Sequence, residues 1–168
     1  MRRPNALACP PLETAPLIPL AAAGWQPLFF FGTLMDLDVL AYVLARPVDL
    51  DDLAPAAIAG FRRVRARAGS YPVLVPEAGG LVEGRLLRRV SRRDIARINH
   101  YESGEYQAEL RQVLGPDGDA RAAWLYLGLD HLGALLDEPW RLDAWQDRHK
   151  AGFFAACDGW MADFAECR

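Results

Sequence analysis

The feature that most constrains the fold is a run of four large apolar residues, Leu28 to Phe31, that ends at Gly32. Consecutive apolar side chains point to both faces of a strand, so this run predicts a short strand buried on both sides. Gly32 permits a tight turn, and Asp36 is placed to cap a helix that Pro47 would stop. The run therefore predicts a unit of strand, glycine turn and helix.

Further strands are predicted from short apolar runs bounded by Gly, Pro or Asp. They cover residues 58–64, 73–75, 81–87, 107–114 and 122–127. The segment 116–118, Pro-Asp-Gly, predicts a hairpin turn between the last two strands. Because strands dominate the middle without regular helix alternation, we expect an α+β fold: a curled, partly closed antiparallel or mixed sheet with helices outside.

Two helical regions flank or interrupt these strands. Ser91 and Asp94 match a capping box and predict a helix over Ser91–His100. The tail, from about 138 to 165, is predicted to be helical, with Gly152 and Gly159 as points where the helix can break. Its large aromatic residues, at helical spacing, either cover the sheet, roof a cleft or join two copies of the chain in a homodimer. They are Trp140, Trp145, Phe153, Phe154, Trp160 and Phe164.

The beginning of the chain differs from the rest. Half of the 12 prolines fall in the first 27 residues, which show no period of 2 or 3.6. We expect residues 1–25 to form an extended Pro-rich arm, with Trp25 as its anchor, and residues 26–168 to form a single domain.

Charge argues against a dedicated nucleic-acid-binding protein. The 19 basic and 22 acidic residues give a net charge of −3, whereas such proteins are usually clearly basic. The basic residues are nevertheless concentrated in 61–111, which holds 11 of them against 6 acidic ones. Arg62, Arg63, Arg65 and Arg67 follow one predicted strand, and we expect them to face solvent. A phosphate-rich partner is the alternative use of these arginines.

No segment suggests export, membrane insertion or metal binding. Prolines and Glu13 interrupt the N-terminal apolar stretch, and 18 consecutive apolar residues occur nowhere. Cys9, Cys157 and Cys167 form no Cys-x-x-Cys pair, and together with three histidines they lack the spacing of a metal site. We therefore expect idle thiols, no cofactor or metal, no membrane partner and a cytoplasmic location.

Two segments carry residues suited to chemistry. The amides of the Phe31–Leu34 turn can hold a carboxylate or an oxyanion, although the same pattern also serves a plain corner. Glu102 falls where the predicted helix ends, so its carboxylate either points into a cleft as a general base or is a solvated acid. His100 beside it is either a second acid–base group or a surface residue.

Taken in order, five segments resemble the γ-glutamylcyclotransferase-like family, nearest to the branch typified by γ-glutamylamine cyclotransferases. They read Phe-Phe-Phe-Gly-Thr-Leu-Met at 29–35, Gly-Ser-Tyr-Pro-Val-Leu at 69–74, Val-Glu-Gly-Arg-Leu at 82–86, Ile-Asn-His-Tyr-Glu at 98–102 with Tyr106, and Trp-Leu-Tyr at 124–126. The resemblance spans residues 28 to about 127. It implies a compact barrel-like α+β fold with a cleft between the sheet and the helices.

The resemblance also implies an activity. Members of the family release an amine from a γ-glutamyl amide by cyclising the glutamyl part to 5-oxoproline. The substrate's α-amine is the nucleophile, so the reaction requires no cofactor, and Glu102 matches the residue that acts as general acid and base. The residues expected to bind this small-molecule substrate are Phe31, Gly32, Thr33, Leu34, Tyr71 and Tyr106.

One position departs from the family pattern. The turn usually begins with Tyr, whereas this chain has Phe31 and so lacks a hydroxyl there. Either the cleft is drier and the substrate differs, or Tyr71, Tyr101 or Tyr106 supplies the hydroxyl. The same departure leaves open a second function, in which the fold binds a carboxylate-bearing ligand without converting it.

Overall fold

The computed structural model describes residues 17–67, 69–102, 106–128 and 135–164. These ranges contain six strands and four α-helices. The strands are β1 (Leu28–Phe30), β2 (Leu53–Ala66), β3 (Pro72–Leu87), β4 (Tyr106–Leu114), β5 (Ala120–Gly128) and β6 (Leu135–Pro139). The helices are α1 (Leu37–Leu44), α2 (Arg92–Glu102), α3 (Leu142–Arg148) and α4 (Lys150–Ala162).

Five of the strands close into a barrel. Around the ring, β3 pairs with β1, β1 with β5, β5 with β4, β4 with β2, and β2 returns to β3. The pair of β1 and β5 is parallel and the other pairs of the ring are antiparallel. Strand β6 pairs with the end of β2 outside the ring. The predicted α+β class with a mixed, barrel-like sheet and flanking helices is confirmed.

Strand β1 lies between two hydrophobic cores, as its unbroken apolar run predicts. Phe30 faces the core that the barrel shares with the helices, where it packs with residues such as Leu40 and Ile98. Phe29, and Phe31 directly after the strand, belong to a second core. This core consists mainly of strand residues and fills the barrel. Alternate burial on opposite faces explains why every residue of this strand is apolar.

Strands β2 and β3 form one long hairpin, so the prediction of separate strands at 73–75 and 81–87 is wrong. Their pairing continues through a register shift between Ala59 and Phe61. Gly60 and Gly79 have φ values of +84° and +75°, which favour glycine. These glycines let both strands bend at a bulge while pairing continues, and in sequence such a bend looks like a turn.

Both predicted helix caps are present. The Asp36 carboxylate accepts hydrogen bonds from the amides of Asp38 and Val39, at 3.0 and 3.1 Å, and starts α1. At α2, the Ser91 hydroxyl accepts from the Asp94 amide at 3.1 Å while the Asp94 carboxylate accepts from the Ser91 amide at 2.9 Å. These reciprocal bonds satisfy amides that the helix leaves without partners.

The tail differs from its prediction in two respects. Its first described residues form β6, which pairs with Val64–Ala66 of β2. The helix is then interrupted at His149, between α3 and α4, whereas Gly152 and Gly159 lie inside α4. Burial of one face of α4 against the core outweighs the weak helix propensity of its glycines. A homodimer formed through the tail stays a prediction.

The predicted arm is described only from residue 17. Ile18, 2% exposed, is its buried anchor, and both of its backbone polar groups bond to the Asn99 side chain, at 3.0 and 2.9 Å. Trp25 is 84% exposed, so its predicted anchoring role is wrong. Pairing between an amide side chain and a distant backbone leaves no periodic signal in the sequence. The boundary at residue 25 stays a prediction.

Candidate active site

A cavity of about 360 Å³ opens between β1, the turn that follows it, and helices α2 and α4. Residues from distant parts of the chain line it, and they include every residue predicted for the site. These are Phe31, Gly32, Thr33, Leu34, Tyr71, Glu102 and Tyr106. The fold therefore brings together the two segments that the sequence singles out for chemistry, although the role of each residue stays a prediction.

The turn after β1 is a 3-10 turn over Thr33–Met35. A Cβ atom at Gly32 would lie 2.8 Å from Cγ of Pro72, so close approach requires glycine there. The backbone carbonyls of Gly32 and Thr33 accept from the amides of Met35 and Asp36, at 2.9 and 3.0 Å. The first amides of such a turn have no partner within it, and here they belong to residues that line the cavity.

The turn is tied to α2 by side chains. The hydroxyl oxygens of Thr33 and Tyr101 lie 3.1 Å apart, within hydrogen-bonding distance. Tyr101 immediately precedes Glu102, which is the last residue of α2 and is half-buried. The contact therefore fixes the end of α2, and with it Glu102, relative to the turn.

Tyr126 lines the cavity close to Glu102. Burial, together with the nearby charge of Glu102, raises the pKa of Tyr126 well above its usual value. Its hydroxyl donates to the Asn99 side chain, which also holds Ile18. Tyr126 is thus neutral at physiological pH and acts as a hydrogen-bond donor beneath the cavity. Tyr126 belongs to the Trp-Leu-Tyr segment of the family pattern but was not among the residues predicted for the site.

Phe31 contributes to the barrel core. Its ring centroid lies 6.5 Å from that of Phe29, and both rings belong to the interior cluster of the barrel. Tyr71, Tyr101 and Tyr106, the residues that could supply the missing hydroxyl, all line the cavity, and such a role for any of them stays a prediction. The Tyr106 hydroxyl donates to the Pro72 carbonyl at 3.2 Å, and the Tyr71 ring packs edge-on against Tyr106 at 6.2 Å.

The prediction of a solvent-facing side chain is wrong for Arg63, which is half-buried and directed at backbone carbonyls. Its guanidinium donates to the backbone carbonyls of Phe31, Trp140 and Glu83, at 2.8, 3.2 and 3.3 Å, and lies 5.1 Å above the Trp140 ring. Burial lowers the pKa of Arg63 below its usual value. Barrel closure places it behind the turn, where it holds the carbonyl that directly precedes Gly32.

The neighbouring arginines follow the prediction. Arg62 and Arg65 form exposed ion pairs with Asp137 and Glu138 of β6, at 2.6 and 3.2 Å. Among the described residues that line the cavity there is no Arg or Lys. Arg62 and Arg65 therefore tie β2 to β6 and lie away from the described lining of the cavity.

Helix α4 supplies part of the cavity wall, which is one of the three uses predicted for the aromatic residues of the tail. Phe153 and Trp160 stand seven residues apart, on one face of the helix, and both line the cavity. The rings of Phe153 and Tyr101 meet that of Trp160 edge-on, at 5.6 and 6.4 Å. His100 is also at the cavity, and its Nε2 bonds to the Trp160 carbonyl at 2.9 Å.

The described residues carry no grouping of three His, Cys, Asp or Glu side chains that could hold a metal ion. Cys157 is buried in α4, and burial together with Asp158 raises the pKa of its thiol to about 11. The thiol is therefore protonated at neutral pH and unsuited to nucleophilic attack. Cys9 and Cys167 lie outside the described residues. No helix in the same part of the chain is long and apolar enough to cross a membrane.

Comparison with known proteins agrees with the resemblance found in the sequence. Residues 28–146 match the family described as Gamma-glutamyl cyclotransferase, AIG2-like. AIG2-like protein A of Arabidopsis thaliana is 25% identical over 127 residues, which cover 75% of each chain. AIG2-like protein D of the same plant is 26% identical over 131 residues, covering 75% of this chain and 82% of that protein.

Solved structures share the fold. A solution structure of an Arabidopsis thaliana protein aligns with a TM-score of 0.58 at 24% identity, covering 82% of this chain and 91% of that one. The crystal structure of an AIG2-like protein from Mus musculus aligns with a TM-score of 0.51 at 20% identity, covering 70% of this chain and 86% of that one. By the match over residues 28–146, the chain belongs to the γ-glutamyl cyclotransferase, AIG2-like family.

Proposed function

We propose that the protein releases an amine from a γ-glutamyl amide by cyclising the glutamyl part to 5-oxoproline, with Glu102 as general acid and base. One observation carries the proposal: Glu102 and the Gly32–Leu34 turn, about 70 positions apart in sequence, line the same cavity. Family membership supports the class of reaction.

The proposed reaction needs no external nucleophile. The α-nitrogen of the substrate attacks its own γ-carbonyl carbon, which forms the carbon–nitrogen bond of a five-membered ring. The bond between that carbon and the leaving nitrogen then breaks. Holding the two reacting groups of one molecule together contributes about 7–11 kcal/mol in comparable reactions.

Proton transfer is the task left to the protein. The α-ammonium loses one proton before attack and a second as the ring closes, and both arrive on the leaving nitrogen. The Glu102 carboxylate accepts each proton and passes it on, so it ends the cycle ionised, and neither water nor a cofactor is consumed. A general base of this kind contributes about 10²–10⁴-fold in rate.

The turn is proposed to hold the substrate. Amides of Gly32, Thr33 and Leu34 either bind its α-carboxylate or stabilise the negative charge that develops on the γ-carbonyl oxygen. Removing one such donor costs about 2.7–4 kcal/mol in comparable sites. Phe31, Tyr71 and Tyr106 form the adjoining walls and exclude water.

The test measures 5-oxoproline released from γ-glutamyl amides by the unmodified protein and by Glu102→Gln. We expect a loss of about 10² or more in kcat, because glutamine keeps the shape of the side chain but cannot accept the proton. The matched control is Glu77→Gln, an exposed acid that pairs with Arg62 and does not line the cavity. Full activity of Glu102→Gln would remove the proposed role of Glu102.

Phe31 favours a second candidate function, a binding module that holds a γ-glutamyl or other carboxylate ligand without converting it. The hydroxyl that family members usually carry at this position is absent, and the Phe31 ring packs against Phe29. Recovery of a bound γ-glutamyl compound unchanged after long incubation supports this function, and 5-oxoproline release rules it out.

A further inference from the structure

We infer that the amine released in the proposed reaction carries an aromatic or other flat apolar group, which packs against a wall formed by Tyr101, Phe153 and Trp160. We call these three side chains the aromatic wall. The inference rests on the proposed function, because that reaction defines which part of the substrate leaves.

The aromatic wall is continuous and open to a ligand. Ring centroids of Tyr101 and Trp160 lie 6.4 Å apart and those of Phe153 and Trp160 lie 5.6 Å apart, both edge-on. Trp160 lines the cavity while 38% exposed, whereas Phe153 is only 9% exposed. A large indole at the rim of a cavity offers apolar area that a flat ligand group can cover.

The wall stands next to the reacting atoms. Tyr101 places its hydroxyl 3.1 Å from that of Thr33 in the turn, while its ring meets Trp160. It also directly precedes Glu102. A glutamyl group held by the turn and Glu102 would therefore lie beside Tyr101, which is the nearest member of the aromatic wall. The substituent on the leaving nitrogen extends from the γ-carbonyl and must occupy space of this kind.

Charge at the cavity separates two classes of amine. Its described lining residues include a carboxylate, Glu102, and no Arg or Lys. An amino acid as leaving group would bring its own carboxylate beside Glu102, and His100 is the only basic side chain among the described lining residues. A simple arylalkylamine carries no such charge, so the lining discriminates against the amino acid.

Helix α4 is held firmly enough to form a specific surface. Lys150 pairs with the buried Asp36 carboxylate at 2.8 Å, and the Tyr42 hydroxyl donates to Asp158. Asp36 directly follows the turn that lines the cavity, so these contacts fix α4 relative to the turn. Phe153 and Trp160 lie beyond residue 146, where the family match ends. The family match therefore does not extend to this part of the wall.

The experiment compares three substrates of matched structure by 5-oxoproline release. γ-Glutamyl phenethylamide and γ-glutamylphenylalanine differ only in a carboxylate, and γ-glutamyl ethylamide lacks the ring. We expect kcat/KM for the phenethylamide to exceed that of each of the others by at least about tenfold. Turnover without this preference, or a preference for γ-glutamylphenylalanine, overturns the inference and leaves the proposed function standing.

A variant locates the preference. Trp160→Ala is expected to lower the ratio of kcat/KM for the phenethylamide over the ethylamide by about tenfold. Trp25→Ala is the matched control, because Trp25 is 84% exposed and does not line the cavity. An unchanged ratio in folded Trp160→Ala, checked by circular dichroism, contradicts the assignment. If that variant does not fold, the substrate comparison on the unmodified chain decides.

Failure of the proposed function is recognised separately. If none of the three compounds yields 5-oxoproline, the proposed function has failed, and calorimetric binding of the phenethylamide and ethylamide tests the aromatic wall. An affinity at least about tenfold higher for the phenethylamide supports the wall as a ligand surface. Equal affinities, or no binding of either compound, overturn it.

Discussion

The hydroxyl oxygens of Thr33 and Tyr101 lie 3.1 Å apart although 68 positions separate these residues in the chain. Thr33 belongs to the turn after β1, and Tyr101 to the last turn of α2, beside Glu102. This contact joins the proposed substrate-holding turn to the helix end that carries the proposed base. The relative position of these two parts decides whether a γ-glutamyl amide meets both at once.

Removing this contact should reduce activity without abolishing it. Thr33→Val and Tyr101→Phe each delete one hydroxyl, and each should lower kcat/KM for a γ-glutamyl amide by about 3- to 10-fold, since one hydrogen bond contributes about 0.5–1.5 kcal/mol. Because both variants break the same bond, their effects should not add in the double variant. Additive effects would show that the two hydroxyls act independently.

Arg63 should stabilise the folded chain more than its exposed neighbours do. Arg63→Met leaves the carbonyls of Phe31 and Trp140 without their donor, and we expect it to lower the free energy of unfolding by about 2–4 kcal/mol. Arg62→Met, which breaks surface ion pairs, should cost about 1 kcal/mol or less. Urea denaturation of both variants measures the difference, and equal losses would contradict the buried role of Arg63.

The Asp36 carboxylate should make stability depend on pH in the acid range. Burial by itself would raise the pKa of Asp36, but hydrogen bonds from Lys150, Gln146 and the Val39 amide outweigh it and hold the pKa below the usual 3.8. A carboxyl with a lowered folded-state pKa stabilises the fold above its unfolded pKa, and this stabilisation is lost as pH falls through the folded pKa.

Asp36→Asn should therefore have a free energy of unfolding about 1–3 kcal/mol below that of the parent at pH 7. This difference should become smaller below about pH 4. Unfolding in urea across this range measures it. Asp38→Asn removes an exposed carboxylate that also contacts Lys150 and should change stability by about 0.5 kcal/mol or less. A gap for Asp36→Asn that stays constant with pH would mean that ionisation of Asp36 is not its source.

Asn99 should hold the described start of the chain in place. Asn99→Ala removes both bonds to the Ile18 backbone and the acceptor of the Tyr126 hydroxyl. We therefore expect faster hydrogen exchange at the Ile18 amide and a free energy of unfolding lower by about 2–4 kcal/mol. Tyr126→Phe removes only the third bond and should leave Ile18 protected. Unchanged exchange in Asn99→Ala would assign the anchoring to burial of the Ile18 side chain alone.

The parts of the fold that the sequence predicts are those set by neighbouring residues. The apolar run through Phe31, the Asp36 cap and the Ser91–Asp94 capping box all act within a few positions, and each is present. The placement of Glu102 at a helix end follows from the same local logic. That it shares a cavity with Gly32 was expected only from the family resemblance.

The failures have a common physical cause, which is contact between residues far apart in the chain. An arginine in a strand is expected to be exposed, and Arg63 is half-buried only because it contacts the carbonyls of Trp140 and Phe31. Gly60 and Gly79 signal turns but permit a bend in a continuous hairpin. Ile18 depends on Asn99, 81 positions away, and no local pattern marks such a pair.

The central claim, cyclisation by the substrate's own amine, is tested most directly by the product formed in water enriched in oxygen-18. A γ-glutamyl amide incubated with the protein should yield 5-oxoproline and free amine in equal amounts, with no heavy oxygen in the 5-oxoproline, because water does not attack the carbonyl. Glutamate carrying oxygen-18 would show hydrolysis, and unchanged substrate would show binding alone. Either result contradicts the account.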